Sequence, residues 1–146
     1  MLGACAIASR ATAPGRIHAT VVSPPDLEVS AADLDFGYAM ALSHTRTLTV
    51  RNVSGEDALV ALSFEGFPSG IEVVYFADDP YPCSPGGLCA PAPDVAPQAS
   101  PLRLQPGEAV VFYVRLRAAD VDAELRPAAT GKISVIGAPA AQESFA

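Results

Sequence analysis

Apolar and polar residues alternate with a period of two along much of the chain. The longest case runs from Ala109 to Arg117, where Val110, Phe112, Val114 and Leu116 take every second position and Arg115 and Arg117 fall between them. Such a strand sends one row of side chains into a core and the other into water. A strand wetted on one face belongs in an antiparallel sheet. The same pattern recurs, more briefly, over residues 27–30, 33–37, 45–52, 58–65, 71–76, 101–104 and 130–136. Over 45–52 it places Leu48 and Val50 inward and the threonines and arginines outward; over 58–65 it places Val60, Leu62 and Phe64 on one face. Ser54-Gly55-Glu56-Asp57, Phe67-Pro68-Ser69-Gly70 and Gln105-Pro106-Gly107-Glu108 are turn sequences between these runs. Seven to eight short strands punctuated in this way predict an all-β protein, an immunoglobulin-like antiparallel β-sandwich with a long Pro-rich loop.

The organisation follows from where the alternation stops. Residues 1–25, rich in Ala, Thr, Ser and Pro, read as a tether or linker, with a helix over 4–13 as the alternative and Arg16 to Val22 able to pair as an edge strand. Residues 26–137 are the sandwich and 138–146 a tail. Residues 78–100 are dense in proline and lack alternation, and a loop of that length inside a compact domain is usually functional or disordered. Residues 118–127 form an acidic connection with a helical turn expected over 119–125.

A chain of 146 residues fits one domain. Half of it is hydrophobic, but no run of about 18 apolar residues exists to span a bilayer. The net charge of −7 and a single lysine, Lys132, argue against nucleic-acid binding. Cys83 and Cys89 enclose Ser84-Pro85-Gly86-Gly87-Leu88, whose Pro and Gly let the chain double back, so a disulfide is expected in an oxidising compartment. Two free thiols are the alternative. Leu2-Gly3-Ala4-Cys5 resembles the lipobox of bacterial lipoproteins, which makes Cys5 a lipidation candidate; in that family an apolar leader precedes the motif.

Reaction chemistry finds little support. His18 and His44 have no acid or nucleophile motif around them, and no Gly-x-Ser-x-Gly occurs. Asp120, Asp122 and Glu124, like Asp78 and Asp79, could offer carboxylates to calcium, but the glycine of an EF-hand loop is missing and solvated acidic loops are the better reading. The absence of Trp argues against a sugar platform. The expectation is therefore no catalytic residue, no metal and no cofactor. Val111, Tyr113 and Arg115 form the outward row of the longest strand and are the interaction-face candidates, since Tyr and Arg are enriched at interfaces. A sheet face partly covered by residues 78–100 is the alternative. The edges open to a partner strand are expected at residues 27–30 and 130–136.

Leu34-Asp35-Phe36-Gly37, Thr47-Leu48-Thr49-Val50-Arg51-Asn52, Leu104-Gln105-Pro106-Gly107-Glu108 and Thr130-Gly131-Lys132-Ile133-Ser134-Val135 stand in the order found in abnormal-spindle/hydin-type (ASH) domains. Over residues 27–137 the chain resembles that family and its relatives, the major sperm protein and pilus-chaperone domains. In physical terms Phe36 plugs the core before Gly37 lets the chain bend, Asn52 bonds local backbone at a strand end, and Pro106-Gly107 suits a type II turn. Family members often carry an aromatic-x-Pro where Arg117-Ala118-Ala119-Asp120 stands here, and the cysteine-bearing insertion is private to this chain. The resemblance implies a non-enzymatic scaffold or protein-interaction module. With Ala, Pro and Arg abundant and Lys scarce, a GC-rich bacterial origin is expected. The reading is a module of a cell-envelope assembly, periplasmic or at the cell surface, with a protein partner, and with a membrane only through a lipid anchor at Cys5. The alternatives are a pilus-chaperone-like strand-exchange protein, with Arg103 or Arg115 anchoring a subunit carboxylate, and a carbohydrate-binding sandwich.

Overall fold

The computed structural model describes residues 16–38, 44–92, 94–118 and 129–140. They form nine strands: β1 (Arg16–Val22), β2 (Leu27–Val29), β3 (Asp33–Tyr38), β4 (His44–Asn52), β5 (Ala58–Glu65), β6 (Ile71–Phe76), β7 (Leu102–Leu104), β8 (Ala109–Ala118) and β9 (Ala129–Pro139). A five-stranded sheet in the order β3-β1-β9-β5-β7 packs against a four-stranded sheet in the order β2-β4-β8-β6. The all-β sandwich expected from the alternation is the fold, with nine strands instead of seven to eight.

Pairing is antiparallel except between β1 and β9, which run parallel from Ile17 opposite Ala129 to Val22 opposite Ser134. Two expectations change here. Residues 16–22 are neither tether nor edge: β1 sits inside its sheet between β3 and β9, and Ile17, Ala19 and Val21 are buried. Residues 130–136 are not an edge either, because β9 has β1 on one side and β5 on the other. The outermost strands are β3, β7, β2 and β6, so only the expectation for residues 27–30 agrees with the sheet order.

The inward rows fill a single core. Phe112, Val114 and Leu116 of β8 are buried, with Phe112 opposite the buried Leu48 of β4, and they pack in one core with Val50 and with Phe36, Val60, Ile133 and Val135 of the other sheet. Tyr75 joins the layers. Its ring meets Phe112 edge-on at 5.2 Å and Phe64 at 5.7 Å, while its hydroxyl accepts a hydrogen bond from the Leu62 N–H at 3.2 Å. A buried phenol with both an apolar partner and a polar one is the stable placement for tyrosine. Arg46 departs from the outward arginine pattern. It lies on the same row as Leu48, at the end of the sandwich, where its Nε donates to the Asp35 carbonyl of β3 at 2.9 Å and ties the two sheets together.

The turn before β8 closes as its residues dictate. Gly107 takes φ +79°, the value that the third residue of a type II turn needs, and the Glu108 N–H donates to the Gln105 carbonyl at 3.0 Å. Gly131 is required for a different reason. A Cβ there would stand 2.6 Å from the Phe67 ring, which lies on the strand and packs edge-on against Phe64 at 6.4 Å. Gly131→Ala should therefore cost about 1–2 kcal/mol by displacing the ring. Urea denaturation of the variant in the wild-type and Phe67→Ala backgrounds checks this. With the ring gone the cost should vanish, and an equal loss in both backgrounds would assign Gly131 another role.

Candidate functional site

The row expected to face a partner does stand together on the outer face of the four-stranded sheet. Val111 lies opposite Thr49, Tyr113 between Thr47 and Phe76, and Arg115 between Thr45 and Val74. Val111 is exposed, whereas Tyr113 and Arg115 are half-buried. The reason is Phe76, which shares this outer row yet is only 2% exposed. The Arg115 guanidinium carbon stands 5.0 Å from the centre of the Phe76 ring, a cation–π arrangement that is stronger the less water surrounds it. The Arg115 Nε is buried there without a hydrogen-bond partner. Arg117 beside it pairs with Glu72 at 2.8 Å. The face is thus layered: Phe76 lies beneath Arg115, and Val111 and Tyr113 remain in reach of solvent. Val73 to Phe76 are all apolar, so nothing local signals that Phe76 stands on the outer row and is covered there.

Next to β6, residues 80–92 double back as a small hairpin. Ala92 donates to the Pro80 carbonyl at 3.0 Å, Ala90 to Pro82 at 3.2 Å and Ser84 to Leu88 at 2.7 Å. In an antiparallel ladder every second opposed pair is hydrogen-bonded and normally exchanges two bonds. Proline has no N–H to give, so the pairs at Pro80 and Pro82 hold only one each. The disulfide Cys83–Cys89 closes the position between the Pro82–Ala90 and Ser84–Leu88 pairs, where facing side chains lie closest; the two Cα atoms are 3.9 Å apart. The segment read as a loop is thus pinned, and its return arm is fastened to the sheet where the Gln98 N–H donates to the Tyr75 carbonyl at 2.7 Å. Peptide mass analysis after iodoacetamide should find Cys83 and Cys89 unlabelled without reductant and both labelled after it. Labelling of both in the unreduced protein would remove the bridge.

The remaining expected residues are scattered. His18 stands on the outer face of the five-stranded sheet, its Nδ1 3.6 Å from an Asp33 oxygen. The side chain of His44 lies outside the described residues, as do Cys5, Asp120, Asp122 and Glu124. Asp78 and Asp79 are exposed, and Asp79 Oδ1 accepts the Tyr81 N–H at 2.9 Å, a local turn bond. Arg103 pairs with Asp57 at 3.0 Å on the five-stranded sheet, whereas Arg115 belongs to the four-stranded one, so the two arginines weighed as carboxylate anchors are not brought together. Arg16 pairs with Asp35; that hydrogen bond, followed by one from the Gly37 N–H, holds the Asp35 carboxyl below its ordinary 3.8. Two clefts of about 460 and 510 Å³ lie among the described residues, one lined by Asp26, Ser54, Glu56 and Asp57, the other by Thr20, Glu65 and Lys132; neither includes a histidine or cysteine. Among the described residues no group of three or more His, Cys, Asp or Glu side chains is placed to hold a metal, and no helix is long and apolar enough to cross a membrane. No protein-family model matches the chain, and no curated protein matches it significantly.

Proposed function

We propose that the chain is a non-enzymatic protein-interaction or structural module of a bacterial cell-envelope assembly, related to the ASH domains and their immunoglobulin-like relatives. The observation that carries this reading is the layered outer face of the four-stranded sheet. Val111 and Tyr113 offer apolar contact there, on a rigid sheet, over the paired Phe76 and Arg115. Interfaces draw their binding energy from a few such aromatic and arginine positions in a rigid setting. The disulfide supports an oxidising location, periplasmic or at the cell surface. A lipid anchor at Cys5 would fix the module to a membrane.

Affinity capture from envelope extract, followed by mass spectrometry, tests the proposal. One stoichiometric protein partner is expected, retained about tenfold less by Val111→Asp or Tyr113→Ala. Circular dichroism of each variant must match the parent. Retention of nascent pilins would favour strand exchange, and retention of glycans a carbohydrate-binding sandwich. Capture that ignores both substitutions would refute the assigned face.

A further inference from the structure

Building on that reading, we infer that the disulfide-pinned hairpin of residues 80–92 is a preformed recognition element, which reaches into an apolar pocket with a basic rim on a protein partner. Every residue from 81 to 91 is exposed, so the hairpin tip buries nothing in the core of the sandwich. Its order is nevertheless heavily enforced. Three cross-strand hydrogen bonds, a bridge between Cys83 and Cys89, and prolines at 80, 82, 85 and 91 all restrict it. Proline and cross-links lower the freedom of a free loop, and a loop already in its bound shape loses less on association.

What the hairpin displays is apolar. Leu88 at its tip is 80% exposed and Tyr81 is 53% exposed, two of the largest exposed apolar side chains in the described structure. Opposed residues of a hairpin share a face and successive ones alternate. The register therefore puts Tyr81 on the disulfide's face and Leu88 on the opposite one, so a pocket must surround the tip. At the base Pro80 is buried, and further along the return segment the Gln98 N–H donates to the Tyr75 carbonyl of β6. The charge is one-sided. Residues 78–100 contain Asp78, Asp79 and Asp94 and no Lys, Arg or His, and among the described residues none of the three carboxylates has an ion-pair partner. A complementary surface is thus concave and apolar, with lysine or arginine around its edge.

Site-specific photo-crosslinking in native cells tests this. A benzophenone side chain is placed singly at Leu88, Tyr81, Val111 and Ser63, the last an exposed position on the opposite sheet. One protein adduct is expected at Leu88 and Tyr81, about tenfold stronger than at Ser63, since the preformed element carries the contact. The adduct at Leu88 should fall severalfold in a Cys83→Ser, Cys89→Ser variant whose melting still matches the parent sandwich. With purified partner and chain it should also fall when salt is raised from roughly 0.05 to 0.5 M, as acidic–basic steering is screened. An adduct at Val111 without one at Leu88 or Tyr81 would overturn the inference and leave the interaction module standing. Equal adducts at all four positions, or none, would overturn both. A Leu88 adduct indifferent to loss of the disulfide would refute preorganisation, and one indifferent to salt would refute the basic rim.

Discussion

Replacing Phe112 by alanine should lower the unfolding free energy by about 3–5 kcal/mol, because the substitution deletes a whole ring at the centre of the sandwich. Phe112 has no exposed surface. It meets the Tyr75 ring edge-on at 5.2 Å, and Tyr75 in turn contacts Phe64, which contacts Phe67 over Gly131. The void would thus open at the end of a chain of rings that links both sheets, where the strands on either side are too constrained to collapse into it. The chain has no Trp, so far-ultraviolet circular dichroism in urea is the suitable readout. The midpoint should drop while the slope stays constant. Phe112→Leu should cost less than about 1.5 kcal/mol, and Val111→Ala on the wet face less than about 0.5 kcal/mol. A loss below about 1 kcal/mol for Phe112→Ala would mean that the inward and outward rows of β8 have been exchanged, and the interaction face would fall with them.

The rows of β8 were legible because ten residues of one strand show the full contrast between a dry and a wet face. β1 was not. Its inward row is Ile17, Ala19 and Val21, but Ala19 is small, Val22 on the outer row is apolar, and the strand lies in an Ala- and Pro-rich stretch. Its place in the sheet depends on parallel pairing with β9 at the other end of the chain, which no local pattern encodes. The same holds for the edges. β9 has the composition of a strand that could end a sheet, and only its two distant partners make it interior. Arg46 shows the limit of period two itself: at the end of a row the inward direction leads out of the sandwich, and a charged side chain fits there.

The candidate site was legible in part for related reasons. Val111, Tyr113 and Arg115 followed from alternation, and the Cys83–Cys89 bridge from two cysteines around a Pro-Gly segment. What the sequence concealed was the second layer. The hairpin's order comes from single hydrogen bonds accepted by proline carbonyls, so it has neither strand composition nor alternation. The burial of Phe76 needs Arg115 from a neighbouring strand. That contact is a product of the register between β6 and β8, and register is a tertiary fact.

Asn52 gives the second large effect. It is the one buried polar residue among those described, and its side chain is fully used. Nδ2 donates to the Glu56 carbonyl at 2.7 Å and to the Leu104 carbonyl at 3.0 Å, while Oδ1 accepts from the Ser54 N–H at 3.0 Å and the Ser54 hydroxyl at 2.7 Å. One amide therefore fastens the turn after β4 to the end of β7, in the other sheet. Asn52→Ala should cost about 2–4 kcal/mol, because it leaves buried backbone groups without partners. Asn52→Asp separates this role from mere volume. The shape is kept, but a carboxylate replaces the donor and faces two carbonyl oxygens without water. Its folded pKa must rise above the unfolded value of about 3.9. A raised pKa means that the folded state holds the proton more tightly, so stability is retained below the unfolded pKa and is lost as pH climbs through the folded one. At neutral pH Asn52→Asp should then be less stable than Asn52→Ala, and the order should narrow or invert as the pH falls toward about 4. Melting temperatures of the two variants, compared at each pH so that other carboxyls cancel, provide the measurement. A difference that does not change with pH would show that the buried amide is not the donor that joins the two sheets.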